Sequence, residues 1–146
     1  MRQILTLSAA LLASIAFAHA TVKTELGAGE SLAGKSETYR LQVPVEREVA
    51  TTQVQLFVPA GVKVSRFLPV PGFTRSVTRD ANGSITSVTW RGRIQPLEFQ
   101  RFLFQATNPA DAGTLKWNVF QTYADGTVVK WDSSDPATPA STTTLK

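Results

Sequence analysis

Alternating polar and apolar residues run through most of this 146-residue chain and predict β-strands. In residues 52–58, for example, Val54, Leu56 and Val58 share one face and the glutamines between them share the other. Clusters of Pro, Gly, Asn and Asp punctuate the pattern as turns do. About seven or eight short strands with frequent turns predict an all-β, antiparallel sandwich of one domain. The predicted strands are 38–43, 52–58, 62–67, 73–78, 85–90, 98–106, 115–123 and 127–131.

The pattern also makes two local predictions near the C-terminus. Asp125-Gly126 is typical of a two-residue turn of the primed type, which would pair Ala124 with Thr127 and set Phe120 opposite Trp131. Residues 133–146 are rich in Pro, Ser, Thr and Ala without sustained periodicity. That composition predicts an edge segment or a loose end.

The N-terminus has the features of a secretory signal. Arg2 is followed by an apolar run from Ile4 to Phe17 and then by small residues. The run is shorter than the roughly 20 apolar residues of a bilayer span, and no second run of that length follows. We therefore expect a signal peptide at 1–18, a sandwich domain at 19–146, no membrane span after signal removal, and a periplasmic or secreted protein.

Two cleavage positions satisfy the small-residue rule. A cut after Ala18 makes His19, the single histidine of the chain, the first residue of the mature protein. A cut after Ala20 discards His19 with the signal. Composition alone leaves both positions open.

Composition narrows the chemistry that the domain can perform. The chain has no cysteine, and its one methionine is Met1, so no thiol or thioether remains after export. The formal charge of +4 comes from scattered basic residues, which argues against a nucleic-acid surface. A single histidine, no nucleophile elbow and no phosphate loop give no support for catalysis, so we predict a protein that is not an enzyme.

A mature N-terminal His19 would offer its α-amine and ring Nδ1 to one metal ion. Cu(II) prefers nitrogen and oxygen ligands in tetragonal geometry, and a carboxylate is a suitable third ligand. Without Cys or Met the mature chain has no soft ligand for Cu(I). With no second histidine, a two-histidine brace is excluded.

Several stretches together resemble the YcnI-like family of secreted bacterial copper-binding proteins. They are collinear and span nearly all of the mature chain. The most specific are Glu98-Phe99-Gln100-Arg101-Phe102, Asn108-Pro109, Gln121-Thr122-Tyr123-Ala124-Asp125-Gly126 and Val129-Lys130-Trp131, and the others are residues 18–22, 37–44, 51–54, 58–62, 71–73 and 85–90.

The resemblance implies an Ig-like β-sandwich and a single-histidine copper brace. It assigns the brace histidine to His19, the carboxylate ligand to Glu98 and a nearby tryptophan to Trp131, with Ala18 as the last residue removed. Ala20 stands where a β-branched residue is common in the family. The chain also ends soon after the sandwich, which predicts a protein without the C-terminal anchor of some members.

These observations predict an exported protein that holds one Cu(II) for copper handling or delivery, in the manner of a metallochaperone. Its expected partners are the copper ion and a copper transporter or another periplasmic copper protein. The alternative is a β-sandwich module for adhesion or carbohydrate binding that uses no metal. An enzyme that uses bound copper is a third option.

Overall fold

A computed structural model describes residues 18–146, and within that range the chain forms eleven strands and no helix. The strands are β1 (Thr21–Thr24), β2 (Glu30–Ser31), β3 (Ser36–Pro44), β4 (Thr51–Phe57), β5 (Lys63–Phe67), β6 (Thr74–Arg79), β7 (Ile85–Ile94), β8 (Phe99–Thr107), β9 (Gly113–Tyr123), β10 (Val128–Trp131) and β11 (Ser141–Leu145).

The strands form two sheets. One has the order β1-β3-β8-β5, and the other has the order β2-β11-β9-β4-β7-β6 with β10 also paired to β9. All pairs are antiparallel except β2 with β11. The predicted all-β sandwich is therefore confirmed.

Alternation in the sequence explains how the two sheets pack. Tyr39 and Leu41 of β3 and Phe104 of β8 point inward and are buried, while their neighbours face outward. The Tyr39 ring stacks on Phe104 with centroids 5.7 Å apart and tilts against Trp117 of β9 at 5.1 Å. Because Trp117 belongs to the opposite sheet, these aromatic contacts join the two layers.

Three of the strands were not predicted from the sequence. β1, β2 and β11 are short, and pairing with longer neighbours specifies them better than their own periodicity does. The tail at 133–146 is neither an edge nor a loose end, because β11 lies between β2 and β9. Its Thr143 and Leu145 alternate into the core.

The last hairpin differs from its prediction by one residue. Tyr123 N–H donates to the carbonyl of Thr127 at 2.8 Å, so the loop has three residues rather than two. Gly126 closes it at φ +85°, as expected when a left-handed residue follows a type I turn. Lys130, not Trp131, therefore lies opposite Phe120, and Trp131 lies opposite Val119.

The predicted signal peptide lies almost entirely outside the described residues, so the boundaries 1–18 and 19–146 stay predictions. From residue 18 onward, the protein offers no helix of the length and apolar character needed to cross a bilayer.

Candidate metal centre

The segment before β1 runs alongside the end of β3. Thr21 pairs with Gln42, and extending this antiparallel register by three residues brings residue 18 opposite Val45. A hydrogen bond from Ala18 N–H to the Glu46 carboxylate agrees with that position. His19 thus lies beside the C-terminal end of β3, at one end of the sandwich.

The His19 ring packs on Trp131. The ring centroids are 5.4 Å apart and the planes are tilted by 45°. The topology explains this contact, since β10 and β11 lie end to end along the same edge of β9. Ser141, at the junction, accepts a hydrogen bond from Val22 N–H at 2.8 Å and donates one to the Val22 carbonyl. This clamp draws β1 to the junction and brings His19 to the indole.

Glu98 lies on the other side of β3. The Val45 N–H donates to the Glu98 carbonyl at 3.0 Å, which extends the β3–β8 ladder by one step. Residues 45 and 98 are therefore opposite each other, and residue 18 lies opposite 45 on the far side. His19 and Glu98 are about two strand spacings apart, roughly 10 Å between backbones.

A tight turn holds Glu98 in place. Glu98 N–H donates to the Gln95 carbonyl at 3.1 Å, and Leu97 has φ +68°. With Pro96 at the second position, these features are typical of a type II turn. The Gln95 N–H donates back to Glu98 Oε2 at 2.8 Å, which uses one oxygen of this exposed carboxylate. The second oxygen remains for another partner.

Glu46 is a carboxylate that sequence reasoning did not single out. It is one of several acidic residues in the chain, and only the β1–β3 register brings it next to residue 18. No sequence spacing indicates that proximity, because the two residues are separated by 28 positions.

A cavity of about 210 Å³ adjoins Trp131 and is also lined by Glu46, Arg47, Tyr123 and Thr138. The Arg47 guanidinium lies 4.7 Å from the centre of the Tyr123 ring. Burial raises the pKa of Tyr123 above its ordinary value, and the nearby Arg47 charge opposes that rise. Tyr123 is therefore a neutral, largely buried wall of this cavity near neutral pH.

The loops at this end are acidic. The connections 45–50, 95–98, 124–127 and 132–140 carry Arg47 as their one basic residue against six acidic ones, Glu46, Glu48, Glu98, Asp125, Asp132 and Asp135. Hydrogen bonds from Thr127 and Ser134 lower the pKa of Asp125 and Asp132, respectively, so both stay charged. The excess of carboxylates favours cations near these loops, and Lys130 of β10, close to Asp132, opposes it in part.

The donors that converge here are few. Among residues 18–146, no three His, Asp or Glu side chains meet as a ready-made metal site. The nitrogen of His19 is also part of a peptide bond to Ala18, so its amine exists only after cleavage. Imidazole and carboxylate donors without sulfur fit Cu(II), but the set becomes complete only in a processed protein.

Known proteins are similar to this chain over its whole domain. The profile of a family described as a domain of unknown function, DUF1775, matches residues 19–145. The chain belongs to this family. The copper-binding protein CutI of Bacillus subtilis (strain 168) is 38% identical over 147 residues, covering 97% of this chain and 72% of CutI. The resemblance identified from the sequence is thereby confirmed.

The solved structures agree on the fold. An uncharacterized protein from Nocardia farcinica with an immunoglobulin-like fold superposes with a TM-score of 0.74 at 33% identity, covering 87% of this chain and 97% of that one. The Ig-like architecture is therefore confirmed. A cohesin module from Clostridium perfringens has a TM-score of 0.54 at 11% identity, covering 88% of this chain and 94% of the module, which indicates a shared fold alone.

Proposed function

We propose that this protein binds one Cu(II) at a mature N-terminus formed by His19 and serves copper handling or delivery in the periplasm or outside the cell. The contact between His19 and Trp131 carries the proposal, since it holds the single imidazole at an acidic end of the sandwich. The similarity to a protein named for copper binding supports the choice of metal.

Each residue has a separate role in this site. The α-amine and Nδ1 of His19 chelate the ion, and Glu98 supplies a carboxylate from the other side of β3. Trp131 shields one side of the ion, because its indole N–H is a donor and cannot ligate as a neutral ring. That N–H is already bonded to Gln121 Oε1 at 3.1 Å.

Proton competition sets the pH range of binding. A free α-amine has a pKa of about 8, and it must lose its proton to bind copper. Affinity should therefore rise with pH through the neutral range. Reduction should release the ion, since no thiol or thioether remains to hold Cu(I).

The first experiment is the intact mass of the exported protein. A chain that starts at His19 supports the site, whereas a start at Thr21 removes the chelating residue and refutes it. Cu(II) titrations of the mature wild type, His19→Ala and Glu98→Gln then test the ligands. We expect a loss of at least a hundredfold for His19→Ala and a smaller loss for Glu98→Gln, and equal affinities would refute the assignments.

The same titration distinguishes the copper site from the alternative, a binding module that uses no metal. An adhesive or carbohydrate-binding sandwich would be indifferent to Cu(II) and to His19→Ala. Binding of one equivalent of Cu(II) that depends on His19 would exclude a purely metal-free role. The proposed role is binding, and no catalytic step is assigned to any residue.

A further inference from the structure

One completely buried polar side chain lies between the two sheets, directly behind the candidate metal centre. Gln121 of β9 has 0% relative exposure in a core that is otherwise mostly apolar. Burying a carboxamide is unfavourable unless its donors and acceptor are satisfied. The hydrogen-bond partners of Gln121 therefore indicate what the side chain does.

Gln121 makes three hydrogen bonds. Its Oε1 accepts from Trp131 Nε1 at 3.1 Å, and its Nε2 donates to the Pro44 carbonyl at 2.9 Å and to Thr51 Oγ1 at 2.8 Å. The first bond fixes the rotation of the indole on which His19 packs. The other two fix both ends of the connection between β3 and β4.

That connection contacts the remaining parts of the centre in consecutive residues. Pro44 is bonded to Gln121, and Val45 is bonded to the Glu98 backbone. The Glu46 carboxylate accepts from the N–H of Ala18, the residue that cleavage before His19 would remove. A displacement of Pro44 would thus be passed to Glu98 through the next residue, Val45. Gln121 therefore joins Trp131, on which His19 packs, to Pro44, the residue before the Val45 contact with Glu98.

We propose that Gln121 is a positioning residue that holds Trp131 against His19 and holds the 44–46 segment against Glu98, and so sets the geometry in which Cu(II) is bound. The inference rests on the proposed function. It concerns an interaction behind the ligands, of the kind that commonly tunes metal affinity by about ten- to a hundredfold.

The chain offers a matched control. Trp117 Nε1 donates to Thr143 Oγ1 at 3.1 Å, in the same core but where β9 pairs with β11. Gln121→Met and Thr143→Val each leave a buried indole N–H without its acceptor, and both should lower the melting temperature. Only Gln121→Met should also disturb the copper centre.

The experiment compares mature wild type, Gln121→Met and Thr143→Val by Cu(II) titration and by the electron paramagnetic resonance spectrum of the bound ion. We expect Gln121→Met to weaken binding about tenfold and to alter the spectrum, while Thr143→Val stays within twofold of wild type. Wild-type affinity and spectrum in Gln121→Met would overturn the proposal. Equal weakening by both variants would also overturn it, since general destabilisation would then be the cause.

Two further measurements cover the remaining outcomes. If Gln121→Met does not fold, Trp131→Phe removes the indole N–H that Gln121 Oε1 accepts while it keeps an aromatic ring beside His19. Wild-type affinity and spectrum in that variant would refute positioning through Trp131. If wild type binds no Cu(II), the proposed function fails, but the metal-free protein still tests the geometry. Nuclear Overhauser contacts between His19 and Trp131 should weaken in Gln121→Met and persist in Thr143→Val, and contacts preserved in both would overturn the proposal.

Discussion

The turn that presents Glu98 contains a leucine in a conformation that leucine disfavours. Leu97 has φ +68° and is 100% exposed, so it contributes no burial to offset the backbone cost. A left-handed conformation costs an L-residue other than Gly, Asn or Asp about 1–2 kcal/mol. Leu97→Asn should recover part of this cost, because asparagine adopts that region more readily.

We expect Leu97→Asn to raise the free energy of unfolding by about 0.5–1 kcal/mol. For a domain of this size that corresponds to a rise of about 2–4 °C in melting temperature. Leu97→Gly should leave the free energy of unfolding almost unchanged. It relieves the backbone strain, but the greater backbone entropy of glycine in the unfolded chain costs about 0.5–1 kcal/mol. Neither change removes a packed side chain.

Leu26 supplies the control. It is 97% exposed and is not among the residues with positive φ, so Leu26→Asn should change stability by less than about 0.5 kcal/mol. Urea denaturation of the three variants and wild type measures the differences. If the free energy of unfolding of Leu97→Asn does not exceed that of Leu26→Asn, the assignment of a left-handed turn at 95–98 is wrong. The placement of Glu98 that depends on this turn would then be wrong too.

Further predictions concern the N-terminus and the core. In the uncleaved chain the Glu46 carboxylate accepts from Ala18 N–H, so it lies next to the terminus that cleavage would leave at His19. Glu46→Gln should therefore lower the Cu(II) affinity of the mature protein, whereas Glu48→Gln, in the same loop, should not. Equal titration curves for the two variants would contradict that role. Tyr39→Phe should lower the free energy of unfolding by about 1–3 kcal/mol, because it leaves the buried Asn108 Oδ1 without the 2.7 Å hydrogen bond from the Tyr39 hydroxyl. Urea denaturation measures this decrease, and a smaller one would indicate that water replaces the hydroxyl. Burial raises the pKa of Tyr39 and Tyr123 in the folded protein. Their contribution to stability is therefore complete below the pKa of the unfolded chain, about 10, and is lost as the pH rises through the pKa values of the folded protein. A free energy of unfolding that does not change between pH 9 and 12 would refute this prediction.

The sequence predicted what depends on local pattern. Alternation located eight of the strands and the sandwich. The small residues before it singled out His19, and the family resemblance assigned Glu98 and Trp131. It did not predict β11, whose partners are distant in sequence, or the one-residue shift in the last hairpin, which depends on Gly126 at φ +85°. Glu46 and Gln121 were missed for the same reason. Their roles follow from register and burial across strands, which no spacing along the chain encodes.

The bond between Ser141 and Val22 has a consequence for the order of folding. It joins positions 119 residues apart, so the last strand must dock before the first is clamped to the junction beside Trp131. Contacts of such long range make sandwiches slow to fold, on the scale of milliseconds to seconds. In an exported chain that is cut after Ala18 during translocation, His19 would therefore be an unstructured chelator before residues 141–145 arrive. Metal that binds during that interval would be held only by the α-amine and Nδ1 of an unstructured His19. The complete centre would form only after the whole chain has been released.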